Sequence, residues 1–250
     1  MRERTSGPKD TGSQPSEPDR GDAVAFIDKY RRPADLPPRI PVFPLRGAIL
    51  LPRSTLPLGV FEPRYLAMIE DVMSGDRVLG IIQPQATGEG TSESPAGKTA
   101  GLKRIGCVGR VTSYQELDDG RLAITLTGIA RFETIDEATT ARPYRIMTVS
   151  YDRHAADFAE GYGEDKVDRE NLLRVLKSYL EAHRINAEWN SIMRASNEVL
   201  VNALSVMAPY GPEEKQALLE APDLKSRAEV LIALAEMELA SSASSGGTLQ

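Results

Sequence analysis

Apolar residues recur at every second position through Leu56-Pro57-Leu58-Gly59-Val60, a spacing that turns one side of an extended segment toward a core. The same alternation predicts a longer strand further on. There Leu122, Ile124, Leu126, Ala130 and Phe132 keep one phase, while Arg121, Thr125, Thr127, Arg131 and Glu133 keep the other, so one face should be buried and one wet. Ile105 to Leu117 is its predicted partner, joined by a two-residue hairpin turn at Asp119-Gly120 with positive φ at both positions. Gly128 falls on the inward side, where a missing side chain is expected to let the strand bend. Ile40 to Arg46, Val78 to Ile82 and Tyr144 to Tyr151 predict further strands. Proline lacks the amide donor of a central ladder, so Pro44 and Pro57 place their strands at an edge or at the rim of a small barrel.

Helical spacing appears in two places. After Phe61-Glu62, Pro63 suits the first position of a helix, and Phe61 with Leu66 predicts a hydrophobic staple. Tyr65, Met68, Ile69, Val72 and Met73 fall on one face, and Gly75 is the expected left-handed stop. From Glu164 onward the period is helical throughout. Leu172, Leu176, Tyr179, Leu180 and His183 share one face; Ile192, Val199, Leu200, Ala203, Leu204 and Met207 share another. Pro212-Glu213-Glu214 opens a further helix, and Asp223 caps one carrying Leu224, Ala228, Leu231 and Ala235. Strands first and helices second predict an α+β chain: a β barrel with one inserted helix over residues 23–152, then a helical bundle over 164–240. Asp152 to Gly163 reads as a polar linker and Gln85 to Lys103 as a long loop. Residues 1–22 and 241–250, rich in Ser, Gly and charge, are expected to be a disordered arm and tail.

Composition narrows the function. The chain of 250 residues is 41% hydrophobic and 26% charged, as in a soluble globular protein, and it has no apolar run of the roughly 18 residues that a membrane span needs. Met1-Arg2-Glu3-Arg4-Thr5 lacks an apolar signal core, so a cytoplasmic location is expected. Its net charge of −6 argues against a general nucleic-acid or anionic-membrane surface. Chemistry-bearing residues are sparse. Cys107 is the single cysteine and reads as a buried small hydrophobe; His154 and His183, the only histidines, have no spacing that suggests a metal site. Gly97-Lys98-Thr99 resembles the end of a phosphate-binding loop, but Ser92 stands where that loop needs its first glycine. Asp118-Asp119 looks like a carboxylate pair yet falls in a turn, so no catalytic group, cofactor or metal is expected.

Several short motifs, in order, resemble the N-terminal substrate-binding domain of the Lon protease family. They are Phe43-Pro44-Leu45-Arg46, Phe61-Glu62-Pro63-Arg64-Tyr65, Gly106 to Gly109, Gly128-Ile129-Ala130-Arg131-Phe132 and Leu200-Val201-Asn202-Ala203-Leu204. The resemblance implies a pseudo-barrel related to PUA-like folds, joined to a helical bundle, that takes part in selecting polypeptides for degradation. It implies no chemistry, since the family's ATPase and Ser-Lys peptidase modules have no counterpart here. The expectation is a non-enzymatic module holding unfolded or hydrophobic polypeptide segments in a cleft between barrel and bundle, with a protease or chaperone as a further partner. The alternative is an RNA-binding PUA-like protein. Leu58, Phe61, Tyr65 and Met68 are the candidate peptide contacts, against a competing reading in which residues at these spacings are core.

Overall fold

The computed structural model describes residues 29–85 and 101–245. Its strands are β1 (Arg39–Pro44), β2 (Thr55–Val60), β3 (Val78–Ile82), β4 (Ile105–Glu116), β5 (Leu122–Glu137) and β6 (Arg145–Ser150). One helix, α1 (Pro63–Met73), is inserted between β2 and β3. Five more follow the strands: α2 (Arg169–Ala182), α3 (Trp189–Arg194), α4 (Asn197–Met207), α5 (Pro212–Glu220) and α6 (Leu224–Ser245). This is the α+β arrangement expected from the change of period. The expected arm, residues 23–28 at the start of the expected barrel, the middle of the Gln85–Lys103 loop and the last five residues lie outside the described residues.

The strands run in the order β2-β5-β4-β3-β1-β6, and β5 also pairs with β6, so five of them close into a ring. β5 makes this possible by dividing its free side between two partners. Its first half pairs with β2, Leu122 to Thr127 opposite Val60 to Thr55, and its second half pairs with β6. β1 and β3 run parallel, which the α1 crossover allows, and every other pairing is antiparallel.

Two cores result. One includes Ile40, Val42, Val78, Ile82, Val108, Ala130 and Phe132; the other joins the ring to the helices through residues such as Leu79, Ile81, Leu126, Ile69, Val201 and Leu218. β3 is therefore buried at all five positions, its alternate residues belonging to different cores. Phe132 is fully buried between Gly80 and Gly106, where an added Cβ would come within 3 Å of its ring.

Several local expectations change. The β4–β5 register puts Val108 opposite Ala130 but Gly109 opposite Gly128, leaving Ile129 as the extra residue of a bulge. Beyond that bulge the phase expected to be wet is covered by other elements, and Arg131, like Thr127 before it, is buried. The hairpin turn has three loop residues, not two: the Leu117 amide donates to the Arg121 carbonyl, and only Gly120 has positive φ. Arg77, with φ of 60°, takes the left-handed position expected of Gly75. Phe61 is 65% exposed, so it forms no buried staple with Leu66.

The C-terminal half shows comparable shifts. Asp152–Phe158 is not a free linker but a 3-10 segment packed on β5, with His154 and Asp157 buried. In α4 the buried residues are Glu198, Leu200, Val201, Asn202 and Ser205, while Val199 and Met207, expected inside, are exposed. Polar side chains occupy the inward face because the ring presents them with partners. α6 continues to Ser245, five residues into the expected tail, since Ala, Ser and Glu tolerate a helix and no breaker occurs before Gly246.

Candidate functional site

The four residues singled out by sequence do not form one groove. Met68 is fully buried and Tyr65 is 7% exposed, its ring 4.1 Å from that of Phe43 and covered by the Arg64 guanidinium at 4.6 Å. Both belong to the core beneath α1, because helical spacing carries them to the same face as Ile69 and Val72. Leu58 is half-buried, and Phe61 stands exposed at the corner where β2 passes into α1.

The backbone beside them takes the edge position expected from Pro57. β2 pairs with β5 alone, so among the described residues its outer edge has no strand partner. Pro57, opposite Thr125, has no N–H for the ladder and so belongs at an outward-facing position. That phase leaves the amides of Thr55 and Gly59 on the free edge, with Pro57 removing the donor between them. The surface combines a short accessible edge, the half-buried side chains of Leu56 and Leu58, and the ring of Phe61 at one end.

The junction of ring and helices is closed by a polar seam. Arg131 meets Asp157 in a bidentate pair, Nε to Oδ2 at 2.9 Å and Nη2 to Oδ1 at 2.8 Å, and its backbone N–H also donates to Oδ2. Its Nη1 reaches the carbonyls of Leu219 and Ala221 at the end of α5, satisfying groups that a helix terminus leaves without partners. Burial alone would raise the Asp157 carboxyl, but the hydrogen bonds and charge of Arg131 hold it below its ordinary value. Arg53 pairs with Glu198, and Gln83 bridges Gly47, Pro212 and Gln216. Lys215 donates to the Ser205 and Val206 carbonyls near the end of α4, and burial pulls its ammonium down to about 8. The cavity along this seam measures about 40 Å³, so no open cleft of peptide size separates ring from helices there.

The remaining chemical candidates find structural places. Cys107 is fully buried, which pushes its thiol up from the ordinary range and leaves it unsuited to nucleophilic work. Among the described residues no group of three or more His, Cys, Asp or Glu is placed to hold a metal ion. Asp119 accepts from the Arg121 amide and pairs with its guanidinium, as turn chemistry predicts. Gly97-Lys98-Thr99 lies outside the described residues. His183 stacks on Tyr179 and faces Glu238 at 3.4 Å.

His154 is 5% exposed, and burial followed by the charge of Arg131 lowers its pKa to about 4. The unfolded chain binds this proton near pH 6.5 and the folded one resists it, so stability should fall as pH drops from about 6.5 to 4. With solvent screening the loss should be about 2 kcal/mol. Urea midpoints at pH 7 and pH 4.5 check this. His154→Gln should flatten the slope over that window; an unchanged slope would mean that His154 is not the group whose protonation sets it.

Comparison with known proteins gives this geometry a context. The family described as "ATP-dependent protease La (LON) substrate-binding domain" matches residues 39–236. The Lon protease of Flavobacterium johnsoniae is 28% identical over 210 residues, 82% of this chain and 25% of that protein. Lon protease 2 of Myxococcus xanthus is 28% identical over 207 residues, 80% of this chain and 24% of that protein. This chain thus spans about a quarter of the length of those relatives. Among solved structures, the Lon N-terminal domain protein of Xanthomonas campestris shares the fold with a TM-score of 0.53 at 22% identity, over 78% of this chain and 97% of that one. The N-terminal domain of the Mycobacterium avium complex Lon protease does so with a TM-score of 0.56 at 15% identity, over 79% of this chain and 98% of that one. A closed β ring carrying an inserted helix and backed by C-terminal helices is the architecture of a Lon N-terminal domain. The chain belongs to the Lon substrate-binding domain family.

Proposed function

We propose that this protein holds extended, apolar segments of unfolded polypeptides along the outer edge of β2, with Phe61 and Leu58 as side-chain contacts. The observation that carries this reading is the free edge beside a 65% exposed phenylalanine, within a domain whose family is described by substrate binding. An extended segment gains backbone hydrogen bonds by adding to such an edge, and alternate side chains gain apolar contact. Pro57 limits the ladder to a few bonds, which disfavours the runaway edge pairing that leads to aggregation. Ordering a flexible client opposes the contact energy, so affinity in the region of micromolar, about −8 kcal/mol, is expected. Tyr65 and Met68 support the site from beneath without touching the client. Passing such segments on to a protease or chaperone is a further part of this proposal, supported by relatives that are proteases by name.

Fluorescence anisotropy tests this with a labelled unfolded polypeptide and a labelled single-stranded RNA, each titrated at low and high salt. Polypeptide binding should depend weakly on salt, because burying apolar groups releases no counterions. Phe61→Asp should weaken it about tenfold, or about 1.4 kcal/mol, with melting unchanged because the side chain makes little core contact. Tight RNA binding that collapses with salt, with no polypeptide signal, would overturn the reading in favour of an RNA-binding domain.

A further inference from the structure

The seam between ring and helices holds a buried cation that no carboxylate meets directly. Arg227, on α6, is 3% exposed. Its Nε donates to the Leu218 carbonyl at 2.9 Å and its Nη1 to Asn202 Oδ1 at 2.9 Å, both neutral acceptors, while its Nη2 has no hydrogen-bond partner. Arg53 lines the same cavity, and its buried Nε also lacks a partner. The acceptors nearby are committed elsewhere. Both oxygens of Asp157 serve Arg131, Glu198 accepts from Arg53 and from the Gly161 amide, and Asp223, exposed at the mouth, accepts from the Ser226 amide. Three guanidinium groups thus line a space whose two buried carboxylates already accept from other donors.

We propose that this cavity binds one small monovalent anion, of the size of chloride or formate, between Arg227 Nη2 and Arg53 Nε. A buried guanidinium with an unmade hydrogen bond and no carboxylate in contact is costly, and an anion at that point supplies the missing acceptor and a paired charge. The volume of about 40 Å³ accepts a halide and a water molecule and excludes a nucleotide, an organic polyacid or a peptide. The anion lies where Pro52, Asn202 and Arg227 bring the ring and two helices together, so its occupancy strengthens that junction. The polypeptide surface along β2 is separate, and the proposal does not depend on it.

The test is thermal melting of the full chain in sodium chloride, bromide, formate and gluconate at constant ionic strength. The three small anions should raise the midpoint saturably, by about 3 °C at ten times the half-saturating concentration, relative to gluconate, which is too large to enter. Arg227→Met should remove the increment. Bromide-soaked crystals of the unaltered protein supply a measurement that no variant's folding can confound, since anomalous scattering should place bromide beside Arg227. Equal midpoints in chloride and gluconate, or bromide absent from the cavity, would overturn the proposal.

Discussion

Asp157→Ala should destabilise the protein by about 3 to 5 kcal/mol, the range expected when one partner of a buried ion pair is removed. The substitution leaves Arg131 charged and 3% exposed, and it strips acceptors from its Nε, its Nη2 and its backbone N–H at once. The guanidinium would keep only the Leu219 and Ala221 carbonyls. Urea unfolding followed by circular dichroism measures the change. The double variant Arg131→Met with Asp157→Leu should recover much of the loss, because apolar replacement of a whole buried pair is often neutral. A single substitution costing under about 1 kcal/mol would show that the pair is open to water in solution.

Gly128→Ala should cost at least the ~3 kcal/mol at the upper end of ordinary overpacking. A Cβ there would lie 2.0 Å from the Leu51 carbonyl oxygen and 2.8 Å from its carbon, and backbone cannot rotate away as a side chain can. The neighbourhood is also pinned: the Gly128 amide donates to the Ser54 carbonyl, and the Arg53 amide donates to the Gly128 carbonyl. Gly59→Ala, on the exposed edge of β2 with nothing within 4 Å of its Cβ, is the matched control and should change stability by well under 1 kcal/mol. Denaturant midpoints of the pair decide the matter. Equal effects would mean that strand propensity rather than the close approach of two backbones governs both positions.

The elements were legible where one rule governed them. Alternation marked β2 and β5, and the face of α1 carrying Tyr65, Met68, Ile69 and Val72 followed from helical spacing. Reading failed where a single residue changed the frame. One extra residue at Ile129 sends Arg131 into the interior, although a charge inside the run Ile129-Ala130-Arg131-Phe132 was itself a signal of a buried partner. The partner, Asp157, was invisible because it lies in a stretch without periodicity, 26 residues on. α4 was read correctly only in part, with Leu200 inside but Val199 and Met207 out, for a related reason: hydrophobic patterning cannot anticipate that Glu198 and Asn202 turn inward to meet Arg53 and Arg227. Of the candidate site, Phe61 and Leu58 could be named from sequence and Pro57 pointed to an edge or rim, but the side of β2 that stays unpaired could not be read, since it depends on which neighbours β2 fails to acquire.

The shared core also bears on how the chain is made. Leu79, Ile81 and Leu126 on the ring pack in one cluster with Val201, Leu218 and Leu231, so synthesis delivers the ring's apolar outer side well before its cover. At ~5 to 20 residues per second, the interval between the end of β6 and the middle of α6 is on the order of ten seconds. During that time a growing chain of this domain carries the kind of surface that it is proposed to hold on other proteins, and it needs shelter on the ribosome until α5 and α6 emerge.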